Sequence, residues 1–173
     1  MASLEDIKTI GVIGAGQMGN GIAHVIALAG YDVRILDISQ DALDKAIGVM
    51  EKNMDRQVKK ELITAAQKDS ALARVSTGTE YSFLSDCDLV IEAVVENAEL
   101  KKQLYARIEP KLRPDAILAS NPSTIPITSL AESLEHPERF CGIHFFNPVR
   151  RMKLVEVIRG RQTNDQTIAT AVA

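Results

Sequence analysis

The chain's 173 residues are enough for one ordinary domain with its own hydrophobic core. Apolar residues make up 46% and charged residues 25%, the mix of a globular protein, and a net charge of −3 excludes a general basic field for nucleic acid. No apolar run has the length of a membrane span, the first residues carry no secretory pattern, and Cys87 and Cys141 have no CxxC or histidine partner at metal spacing. The expectation is a cytoplasmic protein with reduced thiols and no metal site.

A short apolar run at residues 10–13 leads directly into Gly14-Ala15-Gly16-Gln17-Met18-Gly19. Apolar positions at Ile22, Val25, Ile26 and Ala29 then recur with helical spacing, and Gly30 stands where a helix ends. A second strand-like run at residues 33–36 finishes on Asp37. Strand, glycine turn, helix, strand and acid, in that order, predict a dinucleotide-binding βαβ unit. Gly14 makes the tight turn, Gly16 lets backbone approach a pyrophosphate, and Gly19 lets the helix pack close to the sheet. The helix N-terminus supplies free N–H groups and partial positive charge. Asp37 suits the ribose hydroxyls of NAD and repels a 2′-phosphate, and residues 38–40 contain no Arg or Lys to attract one. The expected cofactor is therefore NAD.

Ser39 and Asp41 suit the start of a long helix running through Leu43, Ile47, Met50, Met54, Val58 and Leu62. Its charged end, with Arg56, Lys59 and Lys60, is either a solvated face or a hold on the phosphates of a large anionic substrate. A short helix at 65–68 and a strand at 74–76 follow. The apolar run at 89–95 reads as a central parallel strand, and 98–111 as an amphipathic helix with Leu100, Leu104 and Ile108 inward. A strand at 116–119 ends in the polar loop 120–124, and a helix at 127–134 comes next. Strands at 140–145 and 153–158 precede the start of a last helix within 163–173. This alternation predicts an α/β fold of Rossmann type, a mostly parallel sheet with helices on both faces. Ligands of such sheets lie at the carboxyl ends of the strands, where Gly14, Asp37, Glu96, residues 120–123 and His144 all fall.

His24 lies inside the first helix and His136 precedes a proline, so both read as structural or surface residues. His144 sits at a strand end, and Glu156 interrupts the apolar run Leu154-Val155-Glu156-Val157-Ile158. An unpaired carboxylate buried there would be costly. If the two strands are neighbours, Glu156 holds one imidazole N–H and leaves the other nitrogen as a general base for an alcohol proton. A carboxylate bonded to backbone groups is the other reading. Ser123 could bond the reacting oxygen and Asn147 could orient nicotinamide or substrate, although both also suit turns.

The stretches Gly11-Val-Ile-Gly-Ala-Gly-Gln-Met-Gly-Asn-Gly-Ile-Ala23, Val90-Ile-Glu-Ala-Val-Val-Glu-Asn97, Ala119-Ser-Asn-Pro-Ser123 and His144-Phe-Phe-Asn-Pro-Val-Arg-Arg-Met-Lys-Leu-Val-Glu-Val-Ile158 resemble the L-3-hydroxyacyl-CoA dehydrogenase family. The likeness is strongest to its bacterial 3-hydroxybutyryl-CoA dehydrogenases. It implies His144 as base, Glu156 as its partner and Ser123 on the substrate. It implies a dinucleotide set of Gly14, Gly16, Gln17, Met18, Gly19, Asp37, Glu96, Lys101, Asn121 and Asn147, and places Asn53 and Lys60 toward the CoA part of an acyl-CoA substrate. It also implies NAD-dependent oxidation of a short-chain L-3-hydroxyacyl-CoA in fatty acid or butanoate metabolism. Two departures stand out: Pro122 within the loop 120–124, and Arg150 where the family usually has proline.

The family continues into a further strand and an all-helical domain that supplies another active-site Asn and the homodimer contact. Residues 1–173 are accordingly expected to be its NAD-binding domain, short of the last strand, with the C-terminal helical domain absent. The alternatives are a non-catalytic NAD-binding or structural relative, or another hydroxyacid dehydrogenase. That second group generally takes its base from a lysine on a later helix, against which His144 and Glu156 argue.

Overall fold

The computed structural model describes residues 6–122 and 124–173. Strand β1 (Thr9–Ile13) is followed by α1 (Gln17–Leu28), β2 (Asp32–Leu36), α2 (Gln40–Lys59), α3 (Ala65–Ala73) and β3 (Val75–Gly78). The second half runs β4 (Leu89–Glu92), α4 (Ala98–Ile108), β5 (Ile117–Ser120), α5 (Ile127–Ala131), β6 (Phe140–Phe145), β7 (Val155–Ile158) and α6 (Asp165–Val172).

The strands form one seven-stranded sheet in the order β3-β2-β1-β4-β5-β6-β7. Every pairing is parallel except the last, β6 with β7. The period of two along each strand sorts its apolar residues to two sides. Val12, Ile35, Ile91, Ala119 and Ile143 join Ile22 and Ile26 of α1 and Leu43, Met50 and Met54 of α2. Ile13, Leu36, Val90, Leu118 and Phe140 meet Tyr105 and Ile108 of α4 and Ile127 and Leu130 of α5. Helices therefore cover both faces, as the continuous apolar character of the strands requires. The strand order reverses between β1 and β4, which opens a crevice at their carboxyl ends.

Several boundaries differ from the sequence expectation. β4 stops at Glu92 rather than running through the apolar residues to 95. The Glu92 carboxylate folds back to accept the Val94 N–H (2.7 Å), which turns the chain off the sheet. α3 runs on to Ala73 rather than ending at 68, and a reciprocal capping box of Thr64 and Gln67 closes its start. β3 pairs one to two residues later than expected, and β7 begins at Val155 rather than 153. Gly30 takes φ +101° at the end of α1, the left-handed conformation expected of it.

Candidate active site and dinucleotide site

The turn after β1 is built by close backbone approach. Gly14 has φ +103°, and a Cβ placed on it would lie 2.8 Å from the Ala93 carbonyl oxygen. A Cβ on Gly19 would fall 1.8 Å from the Gly14 carbonyl oxygen, so α1 can start here only without a side chain at that position. Gly16 is different: it has φ −69°, and nothing lies within 4 Å of an added Cβ. No protein atom demands a glycine there. The space beside it is open, and Gly16 lines both large cavities of the molecule.

No side chain caps α1, whereas Ser39, Thr64, Asn97 and Asn164 cap α2, α3, α4 and α6. Its first N–H groups are left for an anion from outside the chain. Asp37 stands beside this turn with its carboxylate already oriented. Oδ2 accepts the Ala15 N–H (2.8 Å) and Oδ1 the Ser39 N–H (3.0 Å). One cavity of about 470 Å³ lies on the α4 side, lined by Gly14, Leu36, Asp37, Ile38, Val94 and Leu100, and its wall is chiefly apolar. The open glycine, the uncapped helix and the carboxylate beside an apolar slot fit the pyrophosphate, ribose and base of a dinucleotide.

Glu96 reaches across to the loop after β5. Its Oε1 accepts the N–H groups of Thr124 and Ile125 (both 3.2 Å), and its Oε2 meets Lys101 at 3.0 Å. Lys101, expected on the dinucleotide side, is fully buried. Its ammonium is shared among Glu96, Glu92 (3.3 Å) and Ser120 (3.2 Å), so it can act on a dinucleotide only through the carboxylate that it holds. Glu92 is the residue that sequence reasoning missed. It is wholly buried and also accepts the hydroxyls of Tyr105 (2.7 Å) and Ser120 (2.8 Å). Burial, and after it the Glu92 charge, push the Tyr105 hydroxyl far above its usual pKa, which keeps it a donor. The signal was a lone acid inside an otherwise apolar strand.

Asn121 Oδ1 accepts the Phe145 N–H (2.8 Å) and so ties the end of β5 to the end of β6. Asn147 Oδ1 accepts from Gln17 Nε2 (3.3 Å), linking the loop after β6 to the first residue of α1. Met18 packs its side chain against the core, so what it can offer a ligand is backbone. Asn53 lines a second cavity, of about 700 Å³, between α1, α2 and residues 147–150. Lys60 is exposed at the end of α2 and lines neither cavity. Ser123 lies outside the described residues.

The antiparallel register of β6 and β7 sets His144 opposite Glu156. Nδ1 of His144 lies 2.9 Å from Glu156 Oε2, and Nε2 has no hydrogen-bond partner among the described residues. A correction concerns burial. The Glu156 side chain is 50% exposed, because β7 is an edge of the described sheet and its outer face is open. The avoidance of an unpaired buried charge therefore does not explain this contact; the register does. Cys87 and Cys141 are separate and buried, and burial pushes each thiol up to about 12, leaving them inert.

Residues 9–173 match the family described as 3-hydroxyacyl-CoA dehydrogenase, NAD binding domain. The chain belongs to this family. A 3-hydroxybutyryl-CoA dehydrogenase of Bradyrhizobium diazoefficiens is 51% identical over 161 residues, which cover 93% of this chain and 55% of that protein. A probable 3-hydroxybutyryl-CoA dehydrogenase of Deinococcus radiodurans is 48% identical over 157 residues, 91% of this chain and 56% of that protein. The crystal structure of (S)-3-hydroxybutyryl-CoA dehydrogenase from Ralstonia eutropha superposes with a TM-score of 0.92 at 47% identity, covering 94% of this chain and 58% of that one. The chain thus spans a little over half the length of these relatives and corresponds to their NAD-binding domain. NAD is accordingly the cofactor of this family.

Proposed function

We propose that this protein oxidises an L-3-hydroxyacyl-CoA, with a short chain such as 3-hydroxybutyryl, to the 3-oxoacyl-CoA, and runs the reaction reversibly. The observation that carries this reading is the His144–Glu156 contact of 2.9 Å, at the edge of the sheet where the parallel strands end and the glycine turn after β1 lies. Bound NAD supplies the hydride acceptor for the carbinol carbon. The chain's own work is to take the hydroxyl proton at Nε2 of His144 as the carbonyl forms. Glu156 holds the opposite nitrogen, fixes the tautomer and stabilises the imidazolium that results.

Ser123 contacts the reacting oxygen in this reading, and Asn147 orients the nicotinamide or the acyl group. Asn53 and Lys60 meet the CoA moiety along α2. The relatives named for 3-hydroxybutyryl-CoA support the short chain, and buried free thiols suit a cytoplasmic enzyme of fatty acid or butanoate metabolism. The active form is a homodimer in this reading, joined through a helical domain beyond these residues.

The test is reduction of acetoacetyl-CoA by NADH. In the full-length protein the wild type turns it over, and His144→Gln lowers the rate by roughly 10²–10⁴-fold with NADH affinity little changed, while residues 1–173 alone should turn it over poorly, if at all. Near-normal turnover by that variant removes His144 from the chemistry.

A further inference from the structure

Arg150 lines the 700 Å³ cavity together with Lys45 and Asn53. Arg56 follows Asn53 by one helical turn and is exposed. Among the described residues, none of Arg150, Lys45, Arg56 and Arg151 has a carboxylate within ion-pair distance, although Arg34, Lys68, Lys101, Arg113 and Arg159 all do. Partial burial, then the charges of Arg151 and Arg56, hold the Arg150 guanidinium below its usual pKa. Lys45 and Arg150 thus line this cavity against one carboxylate, Asp37, with Arg56 and Arg151 nearby, in a chain whose net charge is −3. Two cations against one carboxylate leave a net positive charge that favours an arriving anion.

The seat of Arg150 is built rather than loose. Its neighbour Val149 is buried against Gly21 of α1, where an added Cβ would lie 3.0 Å from the Val149 Cβ. Asn147, two residues before Val149, is bonded to Gln17 at the start of α1. The segment 147–150 is pinned to one helix at two points, and Arg150 is carried to the cavity by its backbone. A guanidinium offers a planar fork of donors that matches a phosphate.

We propose that Arg150, with Lys45 and Arg56 beside it, binds a phosphate of the nucleotide end of the thioester substrate and so selects CoA esters over phosphate-free thioesters. This rests on the acyl-CoA reading above. The pyrophosphate of the dinucleotide is the other phosphate within the same chemistry, because Gly16 and Gln17 also line this cavity. The experiment separates the two.

Steady-state reduction of acetoacetyl-CoA and acetoacetyl-pantetheine by NADH is measured for wild type, Arg150→Gln and Arg150→Lys, with CoA and pantetheine binding followed by calorimetry. Arg150→Gln should raise the KM for the CoA ester by about tenfold, one charged contact's worth. It should cause no comparable loss with the pantetheine ester and no change in the KM for NADH. Arg150→Lys should recover part of the loss, since it keeps the charge without the fork. Equal losses on both esters, a loss confined to NADH, or no loss each overturn the proposal. If wild type reduces neither ester, the acyl-CoA reading itself fails. Calorimetry then decides the phosphate site alone: weaker CoA binding by Arg150→Gln upholds it, and unchanged binding ends it.

Discussion

Gly19 stands against Gly14 so closely that a Cβ on the first would penetrate to 1.8 Å from the carbonyl oxygen of the second. Gly16, between them in sequence, has nothing within 4 Å. The glycines of one turn thus differ: packing demands Gly19, whereas no protein atom demands Gly16, whose proposed role is ligand access. Gly19→Ala must push α1 off the sheet and is expected to cost on the order of 3 kcal/mol or more of stability. Gly16→Ala keeps an ordinary backbone conformation and should change stability by no more than about 0.5 kcal/mol. Its effect belongs to NAD, whose affinity should fall by roughly tenfold or more as the methyl occupies the pyrophosphate's approach. Denaturant titration and NAD calorimetry on both variants read the two effects separately. A destabilised Gly16→Ala with intact NAD binding would contradict this division.

In the proposed reading cofactor choice rests on Asp37, whose oxygens are aimed by the N–H groups of Ala15 and Ser39. Ile38 lines the same cavity and is 87% exposed, so an arginine there displaces no packing. Asp37→Ser combined with Ile38→Arg should weaken NAD and strengthen NADP. The swing is about 1–3 kcal/mol, the worth of a charged hydrogen bond lost or made. Part of the NAD loss will come from freeing the Ala15 N–H; Asp37→Asn keeps an amide oxygen that can accept it and so separates loss of the charge from loss of that bond. An NAD-to-NADP preference that does not move takes Asp37 off the ribose.

The sequence revealed the βαβ unit because its glycines, helical period and terminal acid are local signals. The sheet's two-sided covering followed from strand and helix alternation. The meeting of His144 and Glu156 was legible only as a condition, since pairing of strands twelve residues apart at those positions is a tertiary fact. The exposure of Glu156 was misjudged for a related reason: an apolar run does not say whether its strand is central or an edge. The end of β4 was hidden inside the run 89–95 because a side chain, Glu92, turns the chain. Lys101 is placed by the resemblance on the dinucleotide side, and nothing in the helical period marks it as buried. Its burial depends on carboxylates delivered by a strand and a loop outside that helix.

His24 gives the fold a dependence on acid. It is fully buried on α1, with Nε2 bonded to Gln57 Oε1 at 2.8 Å and Nδ1 without a partner among the described residues. Burial, helped by the Arg150 charge and opposed by the Gln57 bond, lowers its pKa from 6.5. The unfolded chain then binds the proton more readily than the folded one. Stability from this residue is therefore intact above the unfolded value. It falls as pH drops from there through the folded value, and levels off below it. Urea midpoints measured between pH 7.5 and 5 should decline in wild type and decline less in His24→Leu. The slope is the readout, because the substitution also alters packing at every pH. Parallel slopes would mean that His24 is not kept neutral in the folded protein.

Lys101 ties three parts of the site together. It reaches Glu92 at the end of β4, Ser120 at the end of β5, and Glu96, which holds the backbone of Thr124 and Ile125. Lys101→Met leaves Glu92 buried without its counter-charge and releases one hold on Glu96. Breaking a buried ion pair from one side costs about 3–5 kcal/mol. Tyr105→Phe removes one neutral donor from the same carboxylate while the ammonium stays, and should cost less, about 1.5–3 kcal/mol. The order of the two variants in chemical denaturation is thus fixed by which charge is left unmatched. The loop carrying Ser123 should respond to Lys101→Met as well, through Glu96. Faster amide exchange at Thr124 and Ile125 is expected in that variant and not in Tyr105→Phe. Equal destabilisation by the two, with unchanged exchange at those amides, would show that the ammonium does not bridge the carboxylates in solution.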